Sequence, residues 1–501
     1  MNLENKLKEF FSFSSFRLGQ KETISSILNG NHTMSMLPTG TGKSLCFQFP
    51  GLFLDGAVII ISPLLSLMQD QVEQMKMNGE KRVVALNSFL SKKERDYSFK
   101  HIKKYKFIYI SPEMISSSYV LNILKTIKIA LFVVDEAHCI SQWGYDFRPE
   151  YQNLGSVRKE LKNPLTMALT ATATPEIRDD IKKSLFLEEV TEIIYPVDRP
   201  NIALSVEKFS TTREKLERLY TLVEQLQGPG IIYFSSKKVA EQTASYIRNK
   251  SNKKISGYHG GMTQEDRILI QQQFIHGHLE VICATSAFGM GINKENIRYV
   301  IHYHMPTQME SFLQEIGRAG RDGLDSISIF LYANGDEVLA GQLIEMELAN
   351  DMQIDQLIAS LSSYNSYQEW KEKEEEWRQF TFSETQWRVL EAYFAKDTAN
   401  MPNLMEKIRR FKQHRLKRLE LKKEKIAALL TWIDRHECRR TFIADYFHEK
   451  KSESMERCCD RCGLDLSFYS CKRASIEKKD NGDDWKEMLA EILLKSDCYD
   501  E

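Results

Sequence analysis

Short apolar runs separated by helical stretches recur through the first two thirds of this chain, and that alternation restricts its fold more than any other feature. Thr33–Met36, Ala57–Ile61, Val83–Leu86, Phe107–Ile110, Leu131–Val134 and Thr166–Leu169 form a first set. Gly230–Phe234, Lys254–Tyr258, Glu280–Ala284, Tyr299–His302 and Ser328–Leu331 form a second, after the polar break Asp198-Arg199-Pro200-Asn201. Runs this short and this continuously apolar read as strands of parallel sheets with helices on both faces. Two such sets imply two α/β domains with a cleft between them.

With 501 residues the chain exceeds what one core supports, so two or three domains are expected. The boundaries predicted are 1–205 and 206–335 for the α/β domains, 336–475 for a helical domain and 476–501 for an acidic tail. Beyond about residue 335 strands vanish. The stretch from Lys407 to Lys425 there is strongly basic, opposed only by Glu420 and Glu424, and suits either a phosphate grip or a solvated helix face. Lys plus Arg number 68 against 69 Asp plus Glu, so any nucleic-acid surface must come from local concentration of charge. The first residues lack the apolar core of a secretion signal and no run reaches membrane-spanning length, so a cytoplasmic protein without a membrane partner is expected. In that setting the crowding of Cys438, Cys458, Cys459, Cys462 and Cys471 favours a metal site over disulfides.

The chemistry-bearing motifs fall at strand ends. Leu37-Pro38-Thr39-Gly40-Thr41-Gly42-Lys43-Ser44 follows a strand and opens a helix. The backbone N–H groups of such a loop cradle phosphate, Lys43 reaches the β- and γ-phosphate oxygens, and the Ser44 hydroxyl ligates magnesium. Asp135 and Glu136 close the run Leu131–Val134, where the first can hold Mg2+ through water and the second can orient the attacking water. Next comes a loop interleaving Trp143, Tyr145, Phe147 and Tyr151 with Arg148, the parts of a single-strand binding surface. In Gln314–Gly323 the arginines Arg318 and Arg321, three apart, are expected on one helix face, from which they can close on a γ-phosphate. Upstream, Arg17 and Gln20 lie where a glutamine amide can read the two edges of adenine, which implies ATP.

Taken together, Phe16–Gln20, Leu37–Gln48, Ser62–Gln71, Asp135–Tyr151, Ala168–Ala173, Ala284–Lys294 and Gln314–Gly323 resemble the motifs of the RecQ family of DNA helicases, in superfamily two, over residues from about 5 to 335. The aromatic loop after Asp-Glu-Ala-His is the most specific of these. The resemblance implies two tandem RecA-like domains, ATP in their cleft, single-stranded DNA crossing both, and 3′→5′ translocation with duplex unwinding in recombination and repair. It implies Lys43, Ser44, Asp135 and Glu136 as the hydrolytic centre and Arg318 and Arg321 as arginine fingers. Trp143, Phe147 and Arg148 become the DNA-sensing loop, and His138, Thr170 and Thr172 the link from nucleotide state to domain movement. Single-stranded and branched DNA are the implied partners, a monomer is expected, and the acidic tail is a candidate protein-docking segment.

The resemblance extends to a zinc module beginning at Cys438-Arg439-Arg440. Cys459 and Cys462 match its later ligands, whereas Glu456 stands where another cysteine is usual, so Cys458 is expected to complete a Zn2+ set of Cys438, Cys458, Cys459 and Cys462; Cys471, His448 and Glu456 are the substitutes. About 40 residues follow Cys462, too few for both a winged helix and an accessory helical domain, so a short form is expected. Two further readings follow: a DNA-stimulated translocase that unwinds weakly, and a non-catalytic DNA-binding protein. Intact Lys43, Asp135, Glu136, Arg318 and Arg321 oppose the last.

Overall fold

The structure, a computed structural model, describes residues 2–470 apart from 64, 88–89, 142–147, 290–293, 365–368, 371, 374, 376–381, 384, 388, 391–400 and 450–455, and apart from the side chains of 66, 149 and 401–404. The expected acidic tail lies outside the described residues.

Strands β1 (Thr33–Met36), β2 (Ala57–Ile61), β3 (Val83–Leu86), β4 (Phe107–Ile110), β5 (Ile129–Val134), β6 (Thr166–Thr170) and β7 (Thr191–Ile194) form one sheet in the order β3-β4-β2-β5-β6-β1-β7, parallel throughout. Strands β8 (Ile202–Phe209), β9 (Gly230–Tyr233), β10 (Ile255–Tyr258), β11 (Val281–Ala284), β12 (Tyr299–His302) and β13 (Ser326–Ala333) form a second parallel sheet, β10-β11-β9-β12-β13-β8. Every residue of β2 is buried, as a parallel strand covered on both faces requires. The neighbours β5, β6 and β1 deliver Asp135, Thr170 and the phosphate loop from adjacent carboxyl ends, where open α/β sheets bind ligands.

All the predicted strands form, with ends shifted by a residue or two. The edge strands β7 and β8 were not predicted. Thr191, Glu192 and Ile194 of β7 are exposed, so no apolar run marks it, and β8 trails into Glu207 and Lys208 while straddling the expected boundary after residue 205.

Beyond β13 the main elements among the described residues are helices: Asp336–Glu347, Asp351–Ser362, the long Met401–Asp434 and the short Arg439–Tyr446. Trp370, Trp387, Ile354, Leu357, Ile408 and Phe411 give this region a core of its own. Much of the basic stripe on the long helix turns inward to acids far away in sequence. Lys412 meets Asp355 at 2.6 Å, Arg415 meets Asp351 at 2.9 Å, Lys422 meets Glu347 at 2.5 Å and Lys425 meets Glu310 at 2.9 Å. These cations fasten the helix to its neighbours. Among the described residues no helix is long and apolar enough to cross a membrane.

Candidate active site

β1 ends at Met36, and the loop that follows is gripped from three sides. Leu37 N–H donates to the Thr170 carbonyl at the end of β6 (3.1 Å). Gln20 Nε2 donates to the carbonyls of Thr41 (2.7 Å) and Gly42 (3.0 Å), while its Oε1 accepts from Arg17 N–H (2.8 Å). Arg17 Nη1 donates to the Gly40 carbonyl at 2.8 Å. Thr41 Oγ1 turns back to the Pro38 carbonyl. Gly40 sits at φ +87°, and a Cβ there would fall 2.9 Å from Arg321 Cγ, so the loop touches the second domain where only glycine fits. Lys43 Nζ lies 3.5 Å from the Leu37 carbonyl, and Ser44 opens the helix Leu45–Phe53.

β5 ends at Val134. Asp135 N–H still bonds to β2 through the Ile61 carbonyl (2.9 Å), and the chain then turns sharply at Glu136, φ 48°, a left-handed conformation costing roughly 1–2 kcal/mol for a residue with a Cβ. Tyr151, expected with the aromatics of a single-strand binding surface, is instead buried and donates its hydroxyl to the Asp135 carbonyl (3.1 Å). Burial and the charge of Glu136 push the Asp135 carboxyl well above the usual range, with Lys43 pulling against them. A cation seated beside it would relieve that cost.

His138 is buried, its Nδ1 2.9 Å from Thr170 Oγ1 and 3.5 Å from Glu136 Oε2. Thr170 Oγ1 also donates to the Thr172 carbonyl (3.1 Å). The ends of β5, β6 and β1 are thus joined by one chain of contacts: Glu136, His138, Thr170, Leu37.

Across the cleft, the helix Met309–Ile316 stops before the arginines, which corrects the expectation of a shared helix face. Gly317 caps the helix, Gly320 takes φ +55°, and Arg318 and Arg321 converge from the turn that follows. Arg318 donates to the Gly289 carbonyl. Burial, and then the neighbouring charges of Arg318 and Arg199, push the Arg321 guanidinium down to about 9. Two cations held this closely in a buried site favour an anion between them. One cavity of about 370 Å³ is lined by Arg17, Gln20, Thr39, Gly40, Gly42, Lys43 and Ser44, by Asp135 and Glu136, and by Arg318 and Arg321 of the second domain.

Arg199, which sequence reading did not single out within the interdomain break, ties together two segments that line this cavity. It donates to Thr39 on one side and to Gly317 and Gly320 on the other. Of the predicted DNA-contacting residues, Trp143 and Phe147 lie outside the described residues. Arg148 donates to the Pro63 carbonyl (2.8 Å) and lines a different cavity, of about 610 Å³.

The sulfurs of Cys438, Cys458, Cys459 and Cys462 all lie within 4.8 Å of one another. Among the described residues neither His448 nor Glu456 joins them, and Cys471 lies outside. The cluster is seated on β8: Leu204 N–H donates to the Cys458 carbonyl (3.2 Å). Arg439 forks onto Asp460 at 3.0 and 2.9 Å. Arg440 reaches Asp198 and the carbonyls of Arg199 and Ile202, so the cysteine cluster holds the interdomain segment from which Arg199 projects.

Comparison with known proteins agrees with this arrangement. The DEAD/DEAH box helicase family matches residues 17–180, the helicase conserved C-terminal domain residues 214–323, and the RecQ zinc-binding family residues 395–463. The chain is 47% identical over 493 residues to "Probable ATP-dependent DNA helicase RecS" of Bacillus subtilis (strain 168), covering 98% of each chain. To "ATP-dependent DNA helicase RecQ" of the same organism it is 41% identical over 347 residues, covering 68% of this chain and 58% of that one. Among solved structures, the DUF1998 helicase MrfA bound to DNA is similar in fold, with a TM-score of 0.57 at 18% identity over 68% of this chain and 52% of that one. With the three family matches in order along the chain and near-complete alignment to RecS, this protein belongs to the RecQ family of ATP-dependent DNA helicases.

Proposed function

We propose that the protein hydrolyses ATP in the cleft between its two sheets, uses that cycle to translocate 3′→5′ on single-stranded DNA, and unwinds duplex or branched DNA in recombination and repair. The observation that carries this reading is the single cavity that Lys43, Asp135 and Glu136 share with Arg318 and Arg321. A γ-phosphate in it would touch both domains, so its loss would free them to move apart. The direction and the repair role rest on family resemblance.

In this reading Lys43 and the loop N–H groups bind the phosphates, Glu136 orients the attacking water, and Arg318 with Arg321 offset charge on the transferred group. Ser44 and Asp135 would hold Mg2+, which would supply positive charge to offset that of the phosphates. Gln20 would exchange its bonds to Thr41 and Gly42 for the edge of adenine. His138, Thr170 and Thr172 link the reaction centre to the phosphate loop. The cysteine cluster fits Zn2+: tetrahedral zinc with Zn–S near 2.3 Å needs sulfurs about 3.8 Å apart, and Cys438–Cys458 and Cys459–Cys462 are each at 3.5 Å. Zinc there would stabilise the module through its four thiolates.

The test is ATP hydrolysis with and without single-stranded DNA, then strand separation on duplexes carrying either a 3′ or a 5′ single-stranded arm. Stimulation by DNA, loss of hydrolysis in Lys43→Ala and unwinding of the 3′-armed substrate alone are expected. DNA-stimulated hydrolysis without strand separation would leave a translocase, and hydrolysis indifferent to DNA would end the motor reading.

A further inference from the structure

The helix Lys92–Lys100, the turn Ile102–Lys104 and the helix Ser118–Leu124 cover the edge of the first sheet beside β3 and β4. Two cavities open there. The first, about 610 Å³, is the one Arg148 enters; Pro63, Ser111 and Glu113 line it too. The second, about 540 Å³, is lined by Lys100, His101, Lys103, Lys104 and Asn122. They share Phe99 and Tyr119, so they form one continuous groove divided by an aromatic ridge.

This groove has two properties that packing does not demand. First, three of its lysines carry no acid partner. Among the described residues Lys100, Lys103 and Lys104 form no ion pair, whereas Lys412, Arg415, Lys422 and Lys425 of the long helix each meet an acid. Asp96 and Glu113 are the acids nearby, both on the Arg148 side. Second, aromatic faces are left in water. Tyr119 is 60% exposed, its ring perpendicular to that of Phe99 at 5.6 Å, and Tyr97, on the helix beside the groove, is 59% exposed with its ring 4.2 Å from that of His101. Exposed rings alternating with unpaired lysines are the arrangement on which bases stack while the backbone is held.

The geometry points to a continuation of the DNA path: we propose that single-stranded DNA leaving the Arg148 cavity crosses Tyr119, which stacks a base, and runs onto Lys100, Lys103 and Lys104, which hold the phosphates that follow. This rests on the DNA-helicase reading above and extends the tract on the first domain.

The experiment is fluorescence anisotropy of the full chain with oligo-dT of increasing length, over a salt series. The variants are Lys100→Ala/Lys103→Ala/Lys104→Ala, Tyr119→Ala and Tyr119→Trp, with melting temperatures as a folding control. The triple variant should bind short oligonucleotides as the wild type does and fall behind only beyond a threshold length. There its log Kd against log salt should flatten by about 2, at roughly 0.7 per phosphate contact for single strands. Tyr119→Ala should lose roughly tenfold on the long oligonucleotides, and Tyr119→Trp, which keeps a stacking face, should retain them. Variants matching the wild type at every length and salt would show a merely solvated flank, or one that serves a protein partner, and would overturn the proposal while leaving the helicase reading intact. A wild type that binds no DNA at any length would overturn both.

Discussion

Arg199 Nη1 donates to the carbonyl of Thr39 at 2.6 Å, and its Nη2 donates to the carbonyl of Gly320, also at 2.6 Å. One side chain from the interdomain segment therefore ties the phosphate loop to the arginine motif. It touches backbone on both sides, so it sets where Lys43 and Arg321 stand relative to one another.

Arg199→Ala should accordingly lower kcat for ATP by roughly 10–100-fold, the range expected when reacting groups are misplaced by about 1 Å, with a smaller change in KM. Arg199→Lys should rescue little, because an ammonium cannot fork between the two carbonyls. Steady-state kinetics at saturating DNA decides this; a large KM change with kcat intact would mean that Arg199 holds nucleotide directly.

Arg440 extends the same chain of support from the cysteine cluster to Asp198 and the Ile202 carbonyl. Both its guanidinium and the Asp198 carboxylate are largely buried, at 5% and 19% exposure. Removing one partner of a buried pair costs roughly 3–5 kcal/mol, so Arg440→Ala should shift the denaturant midpoint strongly. Chelation of zinc, or Cys462→Ser, should weaken the same seat. The two effects should then be less than additive in a double-mutant cycle, as coupled sites are. Full additivity would mean that the cluster and the interdomain segment are energetically separate.

His138 and Thr170 meet at 2.9 Å between the reaction centre and the phosphate loop. His138→Ala and Thr170→Val should leave DNA-independent hydrolysis within a few-fold of wild type while reducing its stimulation by DNA roughly tenfold, a coupling of about 1.4 kcal/mol. Measuring hydrolysis against DNA concentration separates the two quantities. Equal loss of basal and stimulated rates would assign the pair to catalysis itself.

Much of this architecture was legible because it is local. Parallel strands buried on both faces announce themselves as apolar runs, and Lys43, Asp135 and Glu136 sit at their ends by sequence order alone. What escaped is non-local. β7 carries no apolar signal because it is an exposed edge. The charges between Lys407 and Lys425 were visible, but their partners Glu310, Glu347, Asp351 and Asp355 lie tens of residues away. The clamp role of Arg199 depends on two carbonyls from different domains. That Cys458 and Cys459 can both face one centre required the turn that brings Cys462 round to them.

His304 supplies a pH dependence independent of the reaction centre. Its Nδ1 accepts from Ser235 N–H at 3.1 Å, and its ring packs edge-on to Phe234. Burial, and then the charge of Lys215, push its pKa down to about 4, with Asp336 opposing. An unfolded histidine takes up its proton near pH 6.5. Between these two values the unfolded chain binds more protons, so stability must rise with pH. The contribution is complete above about pH 7 and is lost as pH falls through 6.5 toward 4, reaching roughly 2 kcal/mol by pH 5 at 1.36 kcal/mol per unit. Asp70 and Glu449, whose carboxyls burial raises to about 6 and about 7, act in the opposite direction, so the wild-type curve alone does not isolate the histidine. His304→Asn keeps an acceptor for the Ser235 N–H and cannot titrate. Urea denaturation of both proteins from pH 5 to pH 8 should give curves that diverge below pH 6.5, with the wild type the steeper. Parallel curves would mean that His304 takes up its proton in the folded state as readily as in the unfolded one.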